Sequence, residues 1–329
     1  MKIEDIRRIL IVGAGTMGQE IGLQCARFGY EVMLYDLDPA QLDRATARQR
    51  TILTRLAAEG QLTPAEAEAT LSRITPSADP TTAASRVDLL SESVPENPEL
   101  KAKVLAQFNT LCPPHTIFTT NTSTLIPSMF AAATGRPDRF AAFHFHHEVW
   151  VSNVVDIMPH PGTAEEVVEL LYALARRIGQ IPIICHKEHH GYLLNAMLNA
   201  VNTTAVSLVV NGVAAFKDVD RAWMGVMKMP LGPFGILDGV GLDTAWDITS
   251  YWAKSLGDPQ LEKNAEFLKS YVDRGYLGVK SGQGFYTYPN PAFQQSDFLT
   301  GISDHSSLYL KGRDTVLPGP ARYLDKKGF

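Results

Sequence analysis

The run Ile9-Leu10-Ile11-Val12 leads directly into Gly13-Ala14-Gly15-Thr16-Met17-Gly18. A buried strand that ends in G-x-G-x-x-G and opens a helix leaves few folds available to the chain. Gly13 permits the tight turn, Gly15 lets backbone approach a pyrophosphate, and Gly18 allows close helix–strand packing. Free N–H groups at the helix start, around Thr16 and Met17, are then placed to hold phosphates. The next apolar run, Val32-Met33-Leu34-Tyr35, ends at Asp36, where a carboxylate can accept hydrogen bonds from the adenine-side ribose. That carboxylate repels a 2′-phosphate, and Leu37-Asp38-Pro39 brings no arginine, so the turn selects NAD over NADP.

Further continuous apolar runs follow at Val87-Asp88-Leu89-Leu90, Ile117-Phe118 and Ile181-Pro182-Ile183-Ile184. Strands covered by helices on both faces read this way, which predicts an α/β, Rossmann-type, doubly wound and mostly parallel sheet. Residues 39–75 interrupt it. Leu42, Ala45, Gln49, Ile52 and Leu56 repeat at helical spacing up to Gly60, and Thr63-Pro64-Ala65-Glu66 is a capping box with proline at the first helical position. The insertion is therefore a helical hairpin standing off the sheet. The pattern changes after His186. A long apolar-periodic helix over 191–212 and helix boundaries near Asp218 and Gly257-Asp258 predict an all-α second domain over 187–288, closed by a strand at Gly284-Phe285-Tyr286-Thr287-Tyr288. The domains are thus 1–186 and 187–288. The tail, 289–329, is rich in Pro, Gly, Ser and Asp and receives no structural assignment.

A chain of 329 residues suits two domains, and a net charge of −5 without a basic run gives no nucleic-acid footprint. No apolar stretch reaches the roughly 20 residues of a membrane span. A strand so near the N-terminus leaves no room for a signal peptide. Cys25, Cys112 and Cys185 are scattered and odd in number, as reduced thiols in a cytoplasm are.

The reacting end is expected where Thr120-Asn121-Thr122-Ser123-Thr124-Leu125 gathers hydroxyls and an amide, followed by Phe143-His144-Phe145-His146-His147 and then Asp156. A histidine is suited to moving a hydroxyl proton while hydride leaves the carbon, and a carboxylate on its far nitrogen fixes the tautomer. Seven histidines between 144 and 190 also invite a metal reading. Strand alternation separates His144 from His147, and no Cys or second His pair has zinc-site spacing, so no metal is expected.

Taken together, these motifs resemble the 3-hydroxyacyl-CoA dehydrogenase family, which includes 3-hydroxybutyryl-CoA dehydrogenases. The resemblance covers roughly residues 5–288. It rests on GAGTMG with Asp36, the helical hairpin, Val94-Pro95-Glu96-Asn97-Pro98-Glu99-Leu100-Lys101, the Asn121–Leu125 and His144 segments, Gly191-Tyr192-Leu193-Leu194-Asn195, PLGPFGILDGVGLD (230–243) and GVKSGQGFYTY (278–288). It implies that His144 is the catalytic base for a C3 hydroxyl and that Asp156 is its carboxylate partner. Ser123 and Asn195 would hold the substrate oxygen, while Glu96, Lys101, Ser123, His147 and Lys280 would contact NAD. It also implies an acyl-CoA substrate and a homodimer formed through the helical domain. Arg48 and Arg55 on the hairpin are candidate partners for CoA phosphates.

Two departures stand out. Asp156 replaces the family's glutamate, and the shorter carboxylate calls for a shifted backbone or a water to reach His144. His144-Phe145-His146-His147-Glu148 replaces His-Phe-Phe-Asn-Pro, so His147 stands where an asparagine lies near the nicotinamide. Two rival readings remain: a dehydrogenase of a free 3-hydroxy acid such as L-gulonate or carnitine, and a non-catalytic NAD-binding protein.

Overall fold

Residues 1–300 are described by a computed structural model, in which the chain divides into two compact units at Met197/Leu198. The division falls later than the expected boundary at His186. The physical reason is Tyr192, which is buried against Ala142, Met158 and Cys185 and ties its segment to the first unit.

The first unit is built on eight strands: β1 (Arg8–Val12), β2 (Glu31–Tyr35), β3 (Ile74–Ser77), β4 (Leu89–Glu92), β5 (Ile117–Thr120), β6 (Phe140–Phe145), β7 (Val154–Pro159) and β8 (Ile181–Ile184). Their order is β3-β2-β1-β4-β5-β6-β7-β8, with every pairing parallel except β6–β7. The continuous apolar runs have the cause inferred for them. Ile9 and Ile11 enter one buried cluster while Leu10 and Val12 enter the cluster on the opposite face. Truncating one such side chain to alanine costs about 2–5 kcal/mol. The edge strand β3 is absent from the sequence reading because Pro76 interrupts it, and proline is tolerated at a sheet edge.

Helix α1 (Thr16–Arg27) follows the glycine turn and is buried from Gly18 to Ala26. The insertion forms α2 (Pro39–Ala58) and α3 (Pro64–Ser72). Asp38 caps α2, and Thr63 and Glu66 form the reciprocal capping box. The hairpin does not stand free of the body: Ile52, Leu53 and Leu56 pack with Leu23 of α1. Short α4 (Pro80–Ala84), α5 (Pro98–Leu111) and α6 (Glu165–Arg177) complete the covering of the sheet.

Helix α7 (Leu194–Val210) carries the chain across the division, and α8 (Phe216–Met227), α9 (Pro233–Val240), α10 (Leu242–Leu256) and α11 (Pro259–Val272) form the second unit. The expected strand at 284–288 is not formed there. The backbone N–H groups of Phe285 and Tyr286 donate to the Asp238 carboxylate instead of to a neighbouring strand. Asp220 does the same for Phe234 and Gly235 at the start of α9 and also accepts from the Tyr286 hydroxyl. These two buried carboxylates account for the glycines around them, since a Cβ at Gly232 or Gly284 would collide with Asp220 or Asp238. The first part of the unassigned tail is ordered in this unit, with Phe293 and Phe298 in its apolar core. Residues 301–329 lie outside the described residues.

Candidate active site

The glycine turn fits a dinucleotide at each position. Gly13 has φ +103°, and a Cβ there would meet the Ser93 carbonyl at 2.7 Å. At Gly18 a Cβ would fall 1.8 Å from the Gly13 oxygen. Around Gly15, by contrast, nothing lies within 4 Å of that point, which leaves room for a phosphate beside the start of α1. Asp36 accepts from the Ala14 N–H at 2.9 Å and from the Asp38 N–H at 3.0 Å, so the ribose-side carboxylate also braces the turn.

Beyond the turn lies a cleft of about 310 Å³ lined by Met17, Ser93, Val94, Glu96, Asn121, Ser123, His144, Phe145, His146 and His147. Five of the sequence-predicted residues therefore meet in one place: Met17, Glu96, Ser123, His144 and His147. Glu96 organises the loop after β5, accepting from the Ser123 N–H at 3.1 Å, the Thr124 N–H at 3.2 Å and the Thr122 and Thr124 hydroxyls. Burial raises its proton affinity, but the Lys101 charge and these donors outweigh burial and hold the carboxyl below its usual range. Asn195 donates to the Ser123 carbonyl at 3.2 Å, which brings the start of α7 to this loop.

His144 and Asp156 are opposite each other in the antiparallel β6–β7 pair. The His144 Nδ1 lies 3.0 Å from Asp156 Oδ2, and both side chains are nearly inaccessible. This corrects the expectation of a shifted backbone or a bridging water. Directly paired residues on adjacent strands have Cβ atoms about 4.5–5.5 Å apart, close enough for an aspartate to reach. The imidazole packs between the rings of His146 and Tyr192, at centroid distances of 4.7 and 4.8 Å. Burial drives the Asp156 carboxyl up, but hydrogen bonds and charge from His144 and His146 prevail and bring it down to about 2.

His146 is the residue the sequence reading left without a role. It stands two residues from His144, one position beyond the end of β6, and its Nε2 lies 3.4 Å from the same Asp156 oxygen. The histidine that converges with His144 is His146, not His147. His147 turns instead to Glu20, with Nδ1 3.1 Å from the carboxylate. Glu20 is buried on α1 and also accepts from the Glu148 N–H at 2.8 Å. The single carboxylate of α1 was the available signal for it.

Other candidates are occupied elsewhere. Lys101 is fully buried, bonded to Glu92 at 2.9 Å and 3.3 Å from Glu96, so its ammonium braces the site from behind. Arg48 lies 3.5 Å from Glu20, and Arg55 pairs with Glu148 at 3.1 Å and lies over the Trp150 ring. Both hairpin arginines thus already have carboxylate neighbours. Lys280 belongs to the second unit, where it pairs with Asp243 at 2.6 Å.

A dinucleotide turn at the head of a mostly parallel sheet, opening into a cleft with a His–Asp pair, defines the class: a nicotinamide-dependent oxidoreductase. Known proteins agree. Residues 8–189 match the 3-hydroxyacyl-CoA dehydrogenase NAD binding domain, and residues 191–288 match the 3-hydroxyacyl-CoA dehydrogenase C-terminal domain. A probable 3-hydroxybutyryl-CoA dehydrogenase of Bacillus subtilis is 33% identical over 284 residues, covering 86% of this chain and 98% of its own length. A solved (S)-3-hydroxybutyryl-CoA dehydrogenase from Ralstonia eutropha is 31% identical with a TM-score of 0.80, over 87% of this chain and all of that one. A solved diketoreductase is 36% identical with a TM-score of 0.78, over 86% of this chain and 99% of its own. The chain belongs to the 3-hydroxyacyl-CoA dehydrogenase family and is an NAD-dependent oxidoreductase acting on CH–OH. Among the described residues no helix is long and apolar enough to cross a membrane.

Proposed function

We propose that this protein oxidises the C3 hydroxyl of a short-chain 3-hydroxyacyl-CoA, or runs the reverse reduction, with His144 as the general acid/base. The observation that carries the proposal is the buried Nδ1–Oδ2 contact between His144 and Asp156 on the wall of the cleft. It dedicates Nδ1 to the carboxylate and leaves Nε2 to take the hydroxyl proton, while Asp156 stabilises the imidazolium formed. NAD supplies hydride acceptance when bound. Asn121, whose side chain accepts from the Phe145 N–H at 2.7 Å, fixes the backbone beside His144. Ser123 and Asn195 hold the substrate oxygen. Gly13, Gly15, Thr16, Met17, Gly18 and Asp36 hold the dinucleotide, with Glu96, His147 and Lys280 as further contacts and Lys101 acting through Glu96.

The test follows NADH formation with 3-hydroxybutyryl-CoA, alongside His144→Ala. The variant should lose about 10²–10⁴-fold in kcat/KM while binding NADH as the parent does. An active variant would remove His144 as the base.

A second reading is favoured by two observations: the similarity to a diketoreductase, and the internal pairing of Arg48 and Arg55. In it the substrate is a small 3-hydroxy acid or dicarbonyl without CoA. Parallel assays with 3-hydroxybutyryl-CoA, L-gulonate and carnitine separate the two, and turnover of free acids alone would select the second. We further propose a homodimer formed through the helical unit, supported by exposed Val226, Met227, Met229, Leu231 and Tyr251. A cytoplasmic location is supported by the three buried free thiols.

A further inference from the structure

His146 has no counterpart in the family's His-Phe-Phe-Asn-Pro pattern, yet it reaches the same carboxylate oxygen as the catalytic histidine. His144, His146 and Asp156 each offer a ligand atom, and those atoms lie within 4.8 Å of one another. Two of the spacings, 3.0 Å and 3.4 Å, are measured to a single Asp156 oxygen. A tetrahedral zinc ion with ligands at about 2.0–2.1 Å needs edges of roughly 3.3 Å, so these two already match. Two imidazoles and one carboxylate form a three-ligand set that leaves a fourth position open to water. Two of the donors, His144 and Asp156, are held by paired strands, His146 follows one residue beyond the end of β6, and the Tyr192 ring backs His144. The side chains of His144 and Asp156 are 5% and 3% exposed, while His146 is at 15% and lines the cleft, giving the ion a way in.

We propose that His144, His146 and Asp156 form a divalent transition-metal site, suited to Zn²⁺, whose occupation switches the dehydrogenase off. The chemistry is a change of tautomer. A metal on His144 Nδ1 takes the lone pair there and leaves the ring proton on Nε2. The nitrogen that should accept the hydroxyl proton then has no free lone pair, and Asp156 is withdrawn from the imidazole to the ion. No group is oxidised or reduced, and metal release restores the base. A thiol route to zinc inhibition is disfavoured by the cysteines themselves. All three are buried, and burial pushes Cys25 and Cys112 up to about 12 and Cys185 to about 11. Among the described residues, no other group of His, Cys, Asp and Glu side chains converges in this way.

This inference rests on His144 being the base, so its test reads metal directly as well as turnover. Equilibrium dialysis of the purified chain against Zn²⁺ should find one ion per chain, and Co²⁺ in its place should give the visible absorption of a tetrahedral site. NADH formation should stop on zinc loading and return with a chelator. His146→Phe and His146→Gln, each checked for NADH binding, should weaken zinc at least by the roughly 100-fold that outer-shell changes reach at most. The control His147→Asn should retain the ion. Unchanged zinc affinity in both His146 variants, or no stoichiometric zinc in the parent, would overturn the site. Zinc binding with undiminished turnover would overturn the switch.

Discussion

His144 and Asp156 face each other across the one antiparallel pairing in the sheet, with Nδ1 and Oδ2 3.0 Å apart. An aspartate suffices here because cross-strand partners start close, and a longer side chain would have to fold back to make the same contact. Asp156→Asn keeps the shape but exchanges a charged acceptor for an amide that stabilises neither the tautomer nor the imidazolium. Steady-state kinetics should show kcat lower by about 10²–10⁴-fold with NADH affinity little changed. Asp156→Glu should also lose activity despite the resemblance to relatives, because the added methylene pushes into the contact.

The same carboxylate sets a pH dependence of stability. Its folded value of about 2 lies below the ordinary 3.8, so the folded state binds this proton less tightly than the unfolded state does. The stabilisation is therefore present above the unfolded value and is lost as pH falls from there towards the folded value. It amounts to about 2 kcal/mol. Denaturant unfolding of the parent and Asp156→Asn should show their stability difference shrinking by that amount between near-neutral pH and about pH 2. A difference independent of pH would contradict the assignment.

The glycine turn separates folding from binding. Gly18→Ala sets a Cβ against the Gly13 carbonyl and should lower thermal stability sharply or prevent folding. Gly15→Ala meets no protein atom, so it should melt like the parent and lose NADH affinity by at least about tenfold, read by fluorescence titration. A Gly15→Ala protein with full affinity would place the pyrophosphate elsewhere.

In the second unit Asp220 is the acceptor for two backbone N–H groups and the Tyr286 hydroxyl. Asp220→Ala strands three buried donors, each worth about 1–3 kcal/mol when left unpaired, and should destabilise the helical unit accordingly. The readout is the urea midpoint. Tyr286→Phe, which removes one donor with its acceptor still satisfied, should cost less.

What could be read beforehand followed from chemistry local in sequence. The strand, the glycine turn and Asp36 are contiguous or nearly so, and the capping box of Thr63 and Glu66 spans one turn, so each announced itself. Contacts made by topology did not. Glu20 meets His147 only because β6 ends beside α1, and Lys101 looked like a cofactor ligand until burial against Glu92 became visible. Asp238 sat inside a motif read as a family signature and Asp220 in none, although the work of both is to tie backbone N–H groups. His146 was legible in principle, since it stands two residues from His144 and an extended chain keeps that spacing on one face. The aspartate that joins them lies across a strand pairing that spacing alone does not specify.

Glu20 is a meeting point for distant segments. A single buried carboxylate on the dinucleotide helix receives His147 and the Glu148 N–H from the segment after the base, with Arg48 beside it from the hairpin. Three stretches far apart in the chain are thereby bound to one negative charge. In lineages that carry this histidine, positions 20, 48 and 147 should change together: losing the histidine or the arginine leaves the buried carboxylate short of a partner, and losing the carboxylate leaves both without theirs.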